Sequence, residues 1–210
     1  MSKESLHDVY VDTLKDLYSA ERQIIAALPK LAEAAESDEL RAGFEEHLDE
    51  THLQVQRLVQ IIEGLGKSPR GKKCKGMEGL IEEGKHILEE MKTPSAGRDA
   101  ALIAAAQRVE HYEIATYGSA RTFADELGER AAAKLLQQTL EEEATANEKL
   151  TSIAENGVNR EAAAGDGSRM RGEGGHIGRK GGEGAQEGMR MHRTGTRSAA
   201  RGNRQRPRSR

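Results

Sequence analysis

Seven polar side chains stand on apolar helical stripes, at positions where leucine would be expected. At 100° per residue, Glu21, Glu113 and Glu143 fall at the centres of their stripes. Glu50 and Glu110 lie at the edges of theirs. Burying a lone carboxylate costs several kcal/mol, so inward acids on several helices are best tolerated around a cation. The candidate metal ligands are Glu21, His47, Glu50, Glu110, Glu113, Glu143 and Asn147.

Chain spacing places these side chains at one level of a helical bundle. Glu21 lies about fifteen residues before the first predicted turn, and Glu50 about thirteen after it. Glu113 and Glu143 each lie about fifteen residues from the second turn, at Gly128. At about 1.5 Å per residue, the partners within each hairpin lie within a few Å along the axis. Carboxylates with one imidazole suit two iron or manganese ions better than zinc, which takes fewer ligands and often thiolates.

The elements that must position these residues are long helices, because apolar residues recur at spacings of three and four. The connections between them are short, long and short, and the long one contains a short amphipathic helix. Two antiparallel hairpins joined by one long crossover form a ferritin-like four-helix bundle, so the expected fold is all-α. The long helices are expected at about 4–35, from Asp38 to the Gly66–Pro69 punctuation, at 98–127 and at 130–155, with the short helix at 77–91.

Charge and composition divide the chain into a bundle, residues 1–156, and a tail, residues 157–210. The bundle has a net charge of −11 and the tail one of +8. The tail contains thirteen glycines, twelve arginines and almost no large apolar side chains. It cannot bury enough surface to offset the entropy of ordering, so we expect it to be disordered.

The basic tail suggests one class of partner. Its arginines favour binding to nucleic acid without sequence preference, through phosphate contacts. The tail has no aromatic residues, which removes the stacking part of that mechanism. A solubilising extension, or docking onto the acidic bundle of a neighbouring subunit, would explain the same composition.

Other sequence features indicate the cellular compartment. The single cysteine, Cys74, excludes an internal disulfide and fits a reducing cytosol. It lies in the crossover without a neighbouring cysteine or histidine, so we expect an incidental thiol. No apolar run approaches the roughly 20 residues of a membrane span, and no signal sequence is evident. The expected location is the cytoplasm, with no membrane partner.

Four runs of residues resemble a known family. They are DLYSAERQ at 16–23, HLDET at 47–51, EHYEIATYG at 110–118 and EEEATANEKL at 141–150. Together they resemble the YciF-like (DUF892) branch of the ferritin-like superfamily, bacterial stress-associated relatives of rubrerythrin, over roughly residues 4–156. The resemblance implies a four-helix bundle, a di-iron-type site, a homodimer and a role under osmotic or oxidative stress. It implies no settled reaction.

The family motif assigns the same ligands with one departure. Asn147 stands where the family pattern usually has aspartate, and a neutral amide is a weaker ligand. One metal ion would then be bound more weakly, or water would take the place of this ligand. The His47-x-x-Glu50 spacing reverses the Glu-x-x-His signature of ordinary ferritins but keeps both side chains neighbours on the helix. The resemblance places Glu21, His47, Glu50, Glu110, Glu113 and Glu143 in the metal shell.

Plainer interpretations stay open for single residues. Glu50 and Glu110 taken alone are equally compatible with solvated edge positions. His47 alone would suit a hydrogen-bonded core histidine. Tyr112 is expected to face outward, and Tyr117 to serve as packing or as a hydrogen-bond partner of the site.

The leading functional hypothesis is a non-haem di-metal protein that acts on O₂ or peroxide, or sequesters iron. An external electron donor is required, because one cysteine cannot build the four-cysteine iron module of rubrerythrins. The alternatives are a non-enzymatic structural or nucleic-acid-associating stress protein that uses the tail, and a pure iron store.

Overall fold

The computed structural model describes residues 5–71 and 73–172, with backbone alone for residues 166–172. All regular secondary structure in these residues is helical. None of their helices combines the length and apolar character needed to cross a membrane. The helices are α1 (Leu6–Ala34), α2 (Asp38–Gly64), α3 (Lys75–Glu90), α4 (Ala96–Glu126) and α5 (Arg130–Ile153), followed by a π-helical turn (Ala154–Val158) and α6 (Asn159–Gly172).

Local sequence signals set where most helices begin and end. The side chains of Ser5, Ser37 and Ser95 each accept a hydrogen bond from a backbone N–H three residues later, which caps α1, α2 and α4. Gly66 and Gly128 follow α2 and α4 with φ of 69° and 79°, a conformation that favours glycine. Gly128 thereby begins the short turn between α4 and α5, and Gly66 begins the crossover between α2 and α3.

The helices assemble as two hairpins, α1 with α2 and α4 with α5. Between the hairpins, α1 packs on α4 and α2 packs on α5, while α3 lies across α1 and α4. The predicted all-α bundle with a helical crossover is therefore confirmed.

A layer of polar side chains divides the apolar core. One apolar cluster includes Leu28, Phe44 and Leu102, near the α1–α2 turn. The other includes Leu14 and Leu136, near the α4–α5 turn. Between them every long helix of the bundle carries a buried acid or histidine. The apolar clusters hold the helices together and shield this polar layer from solvent on both sides.

The helix end predicted at Asn156 is wrong. Backbone helix continues through the π-helical turn and α6 to Gly172, and both elements pack on α4. The π-helical turn rotates the chain so that Ala154 and Val158, 9% and 4% exposed, both enter the core. The free energy gained by burying these two side chains offsets the helix-destabilising effect of the glycines in this segment. The disorder predicted for the rest of the tail concerns residues 173–210, which lie outside the described residues.

Two buried charged residues that are neighbours in the sequence, Arg98 and Asp99, tie α4 to the α1–α2 turn. The Asp99 carboxylate accepts hydrogen bonds from the backbone N–H groups of Glu36 at 3.0 Å and Ser37 at 2.7 Å. The Arg98 guanidinium donates to the carbonyl of Ala34.

We expect Asp99→Ala to lower the free energy of unfolding by about 2–4 kcal/mol, since two buried charge-assisted hydrogen bonds are lost. Urea denaturation would measure the change. Asp125→Ala removes an exposed ion pair on the same helix and should cost under about 1 kcal/mol. Equal costs for the two variants would contradict the role of Asp99 at the turn.

Candidate metal centre

Four buried side chains from three helices converge in the polar layer. His47 of α2, Glu110 and Glu113 of α4, and Glu143 of α5 offer ligand atoms that all lie within 4.8 Å of one another. His47 is 7% exposed, Glu110 2%, and the other two are fully buried. Nitrogen and carboxylate oxygen atoms this close together can hold a metal ion.

The imidazole of His47 lies between two acids of the cluster and one at its edge. Its Nε2 atom is 3.5 Å from Glu110 Oε1 and 4.0 Å from Glu143 Oε2. Its Nδ1 atom is 3.7 Å from Glu50 Oε2. The Glu50 side chain is 38% exposed, so this acid lies where the cluster meets solvent. Glu110, in contrast, is buried, and the reading of it as a solvated edge residue is wrong.

Glu21 brings the first helix to the polar layer. It is fully buried, and its Oε1 atom accepts a hydrogen bond from the Tyr117 hydroxyl. Tyr117 is also fully buried. The sequence predicts that it serves in packing or as a hydrogen-bond partner of the site, and the structure shows the hydrogen bond. The other carboxylate oxygen of Glu21 has no hydrogen-bond partner among the described residues.

Asn147 is half-buried and has a partner of its own. Its side-chain oxygen accepts a hydrogen bond from Gln107 Nε2 at 3.3 Å, and Gln107 also donates to Thr151 at 2.8 Å. The oxygen that would bind a metal is therefore engaged by α4. This is consistent with a weaker ligand at this position.

Burial and mutual repulsion raise the pKa of every acid in the buried cluster. Desolvation is the largest cause, and it raises the pKa of Glu21 and of Glu110 to about 8. The pKa values of Glu113 and Glu143 rise well above the ordinary value for the same reason, with neighbouring carboxylates adding to the effect. Without a cation, the cluster therefore retains protons near neutral pH.

His47 experiences opposing effects. Burial by itself lowers its pKa, but the nearby Glu50 carboxylate and the charges of Glu143 and Glu21 outweigh burial. The net result is a raised pKa. A protonated imidazole would partly neutralise the acids around it in the metal-free protein.

Buried polar atoms without hydrogen-bond partners support a cation in this layer. Burying a polar atom without a partner costs about 1–3 kcal/mol. Most such side-chain atoms among the described residues belong to the cluster. Divalent iron or manganese accepts this set of oxygen and nitrogen donors, so the residues present fit a metal. The unpartnered atoms are Glu21 Oε2, both ring nitrogens of His47, Glu110 Oε2, and both carboxylate oxygens of Glu113 and Glu143.

A set of hydrogen bonds around the Glu142 carboxylate lies next to Glu143. Arg57 of α2 holds the Glu142 carboxylate through two hydrogen bonds, at 2.5 and 2.8 Å. Gln54 and Gln138 donate to the same carboxylate at 3.3 and 3.1 Å. These contacts join α2 to α5 beside the cluster. Sequence reasoning missed them, because nothing in the local pattern pairs two polar residues that are 85 positions apart.

The crossover contributes a polar contact that the sequence analysis misjudged. Tyr112 does not face solvent: its hydroxyl donates to Asp16 Oδ2 at 2.8 Å and lies 3.0 Å from Cys74 Sγ. Cys74 is 1% exposed, and its sulfur accepts from the Met77 N–H to cap α3. The expectation of an outward tyrosine is wrong because α3 covers that face of α4. A Cβ at Gly76 would lie 2.8 Å from the Tyr112 ring, so only glycine permits this approach.

Comparisons with known proteins agree with this architecture. A family model described as a domain of unknown function, DUF892, matches residues 5–163. Protein YciF of Escherichia coli strain K12 is 48% identical over 163 residues, which are 77% of this chain and 98% of that protein.

Solved structures show the same fold. The crystal structure of the E. coli stress protein YciF has a TM-score of 0.71 and 49% identity, covering 74% of this chain and 98% of that one. YcfI from Rhodopseudomonas palustris has a TM-score of 0.70 and 40% identity, covering 73% and 99%. A protein from Xanthomonas campestris, 19% identical, shares the fold with a TM-score of 0.58 over 81% of this chain and 99% of its own. The family match, the sequence identity and the shared fold together show that this chain belongs to the DUF892 family, in its YciF-like branch.

Proposed function

We propose that this protein is a stress-associated non-haem di-metal protein that acts on O₂ or peroxide, or sequesters iron. The observation that carries the proposal is the convergence of unpartnered oxygen and nitrogen atoms from four helices in a buried layer. The stress association is supported by the relative from E. coli, which is described as a stress protein.

Two metal ions suit this site better than one. Glu21, Glu50, Glu110, Glu113 and Glu143 are five carboxylates, and two divalent cations would compensate most of their charge when they ionise. Six or seven donor groups also exceed the usual need of one ion whose shell includes water. His47 would supply the single nitrogen ligand, and Asn147 the weakest oxygen. Iron or manganese matches this oxygen-rich donor set.

The chain's own residues would set the conditions for chemistry. When bound, the metal pair would supply electrons and Lewis acidity toward a small oxidant. Tyr117 fixes one oxygen of Glu21, and Arg57 anchors Glu142 beside Glu143. The apolar clusters on both sides exclude bulk water, while half-exposed Glu50 marks a route of approach. An external protein would have to supply electrons, because the chain has one cysteine.

The test is metal content. We expect protein purified from metal-replete cells, or loaded anaerobically with Fe(II) or Mn(II), to contain close to two ions per chain. The Glu21→Ala/Glu143→Ala variant should lose them, because two central ligands are removed from opposite hairpins. Elemental analysis after gel filtration measures the stoichiometry.

The matched control is Glu33→Ala/Glu148→Ala, which removes exposed acids from the same two helices. This control should keep its metal. A metal-free wild type, or equal metal content in both double variants, would refute the di-metal proposal. With a chemical reductant supplied, repeated consumption of hydrogen peroxide by the loaded protein would then indicate turnover, whereas consumption that stops after one equivalent would indicate iron sequestration. The family resemblance further supports a homodimer, which sedimentation of the loaded protein would test.

A further inference from the structure

A cavity of about 350 Å³ lies beside the candidate metal centre. Residues from α1 through α5 line it, and most of them are apolar. Ile24, Leu28 and Phe44 are among its walls, and His47 and Glu110 of the cluster also border it. Small-molecule sites have this size and this apolar character.

Small residues keep this space open. Gly84 of α3 is buried and lines the cavity, yet a Cβ added there would meet no atom within 4 Å. Ala105, Ala106 and Ala146 also line it, where larger core residues would fill the space. Apolar surface that stays in contact with water forgoes the free energy of burial, about 25 cal/mol per Å². The cavity therefore suits an apolar occupant.

The charged residues on one side of the cavity favour an anionic head group. Lining residues from α2, α4 and α5 have mixed charges, Glu46, Glu50, Glu110 and Lys149. On the side formed by α1, α3 and the segment before α3, by contrast, every charged lining residue is a lysine. Lys73 pairs with Glu78 at 2.5 Å and Lys85 pairs with Glu82 at 2.9 Å. Lys30 is exposed and has no ion pair among the described residues. An anion at this side of the cavity would find an available ammonium group.

We propose that this cavity binds a straight-chain fatty acid. The hydrocarbon chain occupies the apolar space that Gly84 and the alanines leave, and the carboxylate lies near Lys30. The chain passes within the same cavity that His47 and Glu110 border, next to the candidate metal centre. Binding needs no metal, so it stands or falls separately from the proposed function.

The experiment is isothermal titration of the full-length protein with laurate below its critical micelle concentration. We expect one laurate per chain at micromolar affinity. Gly84→Leu should weaken binding by at least about tenfold, because the new side chain fills the space. Gly79→Leu is the matched control: Gly79 is exposed on the same helix, does not line the cavity, and also has open space at its Cβ. Leucine has a higher helix propensity than glycine, so both variants should remain folded, which a thermal melt would check.

A second arm tests the head group. Lys30→Glu should weaken laurate binding, yet leave binding of dodecyltrimethylammonium, which has the same chain and a cationic head, unchanged or stronger. Equal loss with both ligands would overturn the placement of the carboxylate at Lys30.

Two results would overturn the binding site itself. One is the absence of saturable laurate binding to the wild type. The other is equal affinity in the Gly84→Leu and Gly79→Leu variants. If laurate fails to bind while Gly84→Leu converts a dimer to a monomer in sedimentation, a second copy of the chain covers this cavity instead.

Discussion

Replacement of Glu113 by leucine should stabilise the metal-free protein at pH 8 while abolishing its stabilisation by divalent metal. Glu113 is fully buried, and neither carboxylate oxygen has a hydrogen-bond partner among the described residues. Burial opposes the ionisation of Glu113, and so do the charges of Glu21, Glu143 and Glu110. Exchanging buried charged groups for apolar ones of similar volume is often neutral or stabilising by about 1–4 kcal/mol. We expect a gain of about 2 kcal/mol, or a rise of roughly 5 °C in Tm.

The measurement is thermal unfolding after chelation, with and without Mn(II) under anaerobic conditions. Mn(II) should raise the Tm of the wild type but not that of Glu113→Leu, because a protein gains stability only from a ligand that its folded state binds. Glu126→Leu, at an exposed position of the same helix, should change the stability of the metal-free protein by no more than about 0.5 kcal/mol and keep the response to Mn(II). A metal-free Glu113→Leu protein less stable than the wild type would mean that hydrogen bonds hold this glutamate.

The metal-free protein should lose stability as the pH rises from about 5 to 8.5. Glu21 and Glu110 have pKa values of about 8 in the folded protein and an ordinary value of 4.5. Between these values the folded state holds protons that the unfolded state releases, so each unit of rising pH lowers the free energy of unfolding. This contribution is fully present below pH 4.5 and is lost as the pH passes about 8. The raised pKa of His47 acts in the same direction.

The size of the effect follows from linkage. One proton per pH unit corresponds to about 1.4 kcal/mol, so several buried acids together should change stability by several kcal/mol. Urea denaturation at half-unit pH steps would measure it. Saturating Mn(II) should reverse the slope, because metal binding requires deprotonated ligands and releases protons. A metal-free protein whose stability rises between pH 5 and 8.5 would contradict the raised pKa values of the cluster.

Both predictions follow from one property of the site: its buried acids destabilise the metal-free protein. The same buried acids that cost free energy when protonated or unpaired would contribute it when coordinated. The carboxylate of Asp99 behaves differently: it is buried, but backbone donors satisfy it. Burial alone therefore does not mark a ligand. The candidate ligands differ from Asp99 because several unpartnered carboxylate oxygens lie close together around His47.

Helix periodicity alone identified the inward carboxylates at the centres of the stripes. Glu21, Glu113 and Glu143 are all fully buried, as the 100° spacing predicts. The turn positions also follow from local chemistry, since a serine cap at Ser37 and a left-handed glycine at Gly128 depend only on neighbouring residues. The backbone sets both the helical period and the cap geometry, so no tertiary contact was needed to predict them.

Tertiary packing decided the residues at stripe edges and beyond the bundle's predicted end. Glu110 lies at the edge of its apolar stripe. Whether a residue at such an edge is exposed to solvent depends on which helix packs against it. Tyr112 is covered by α3, and Val158 enters the core only because a π-helical turn redirects the chain onto α4. The pairing of Arg57 with Glu142 and the cavity at Gly84 likewise join residues far apart in sequence. A single sequence reports which face of a helix is apolar, but not which partner that face meets. The sequence therefore determined the helices and their central acids, while packing determined the closed polar layer and the space beside it.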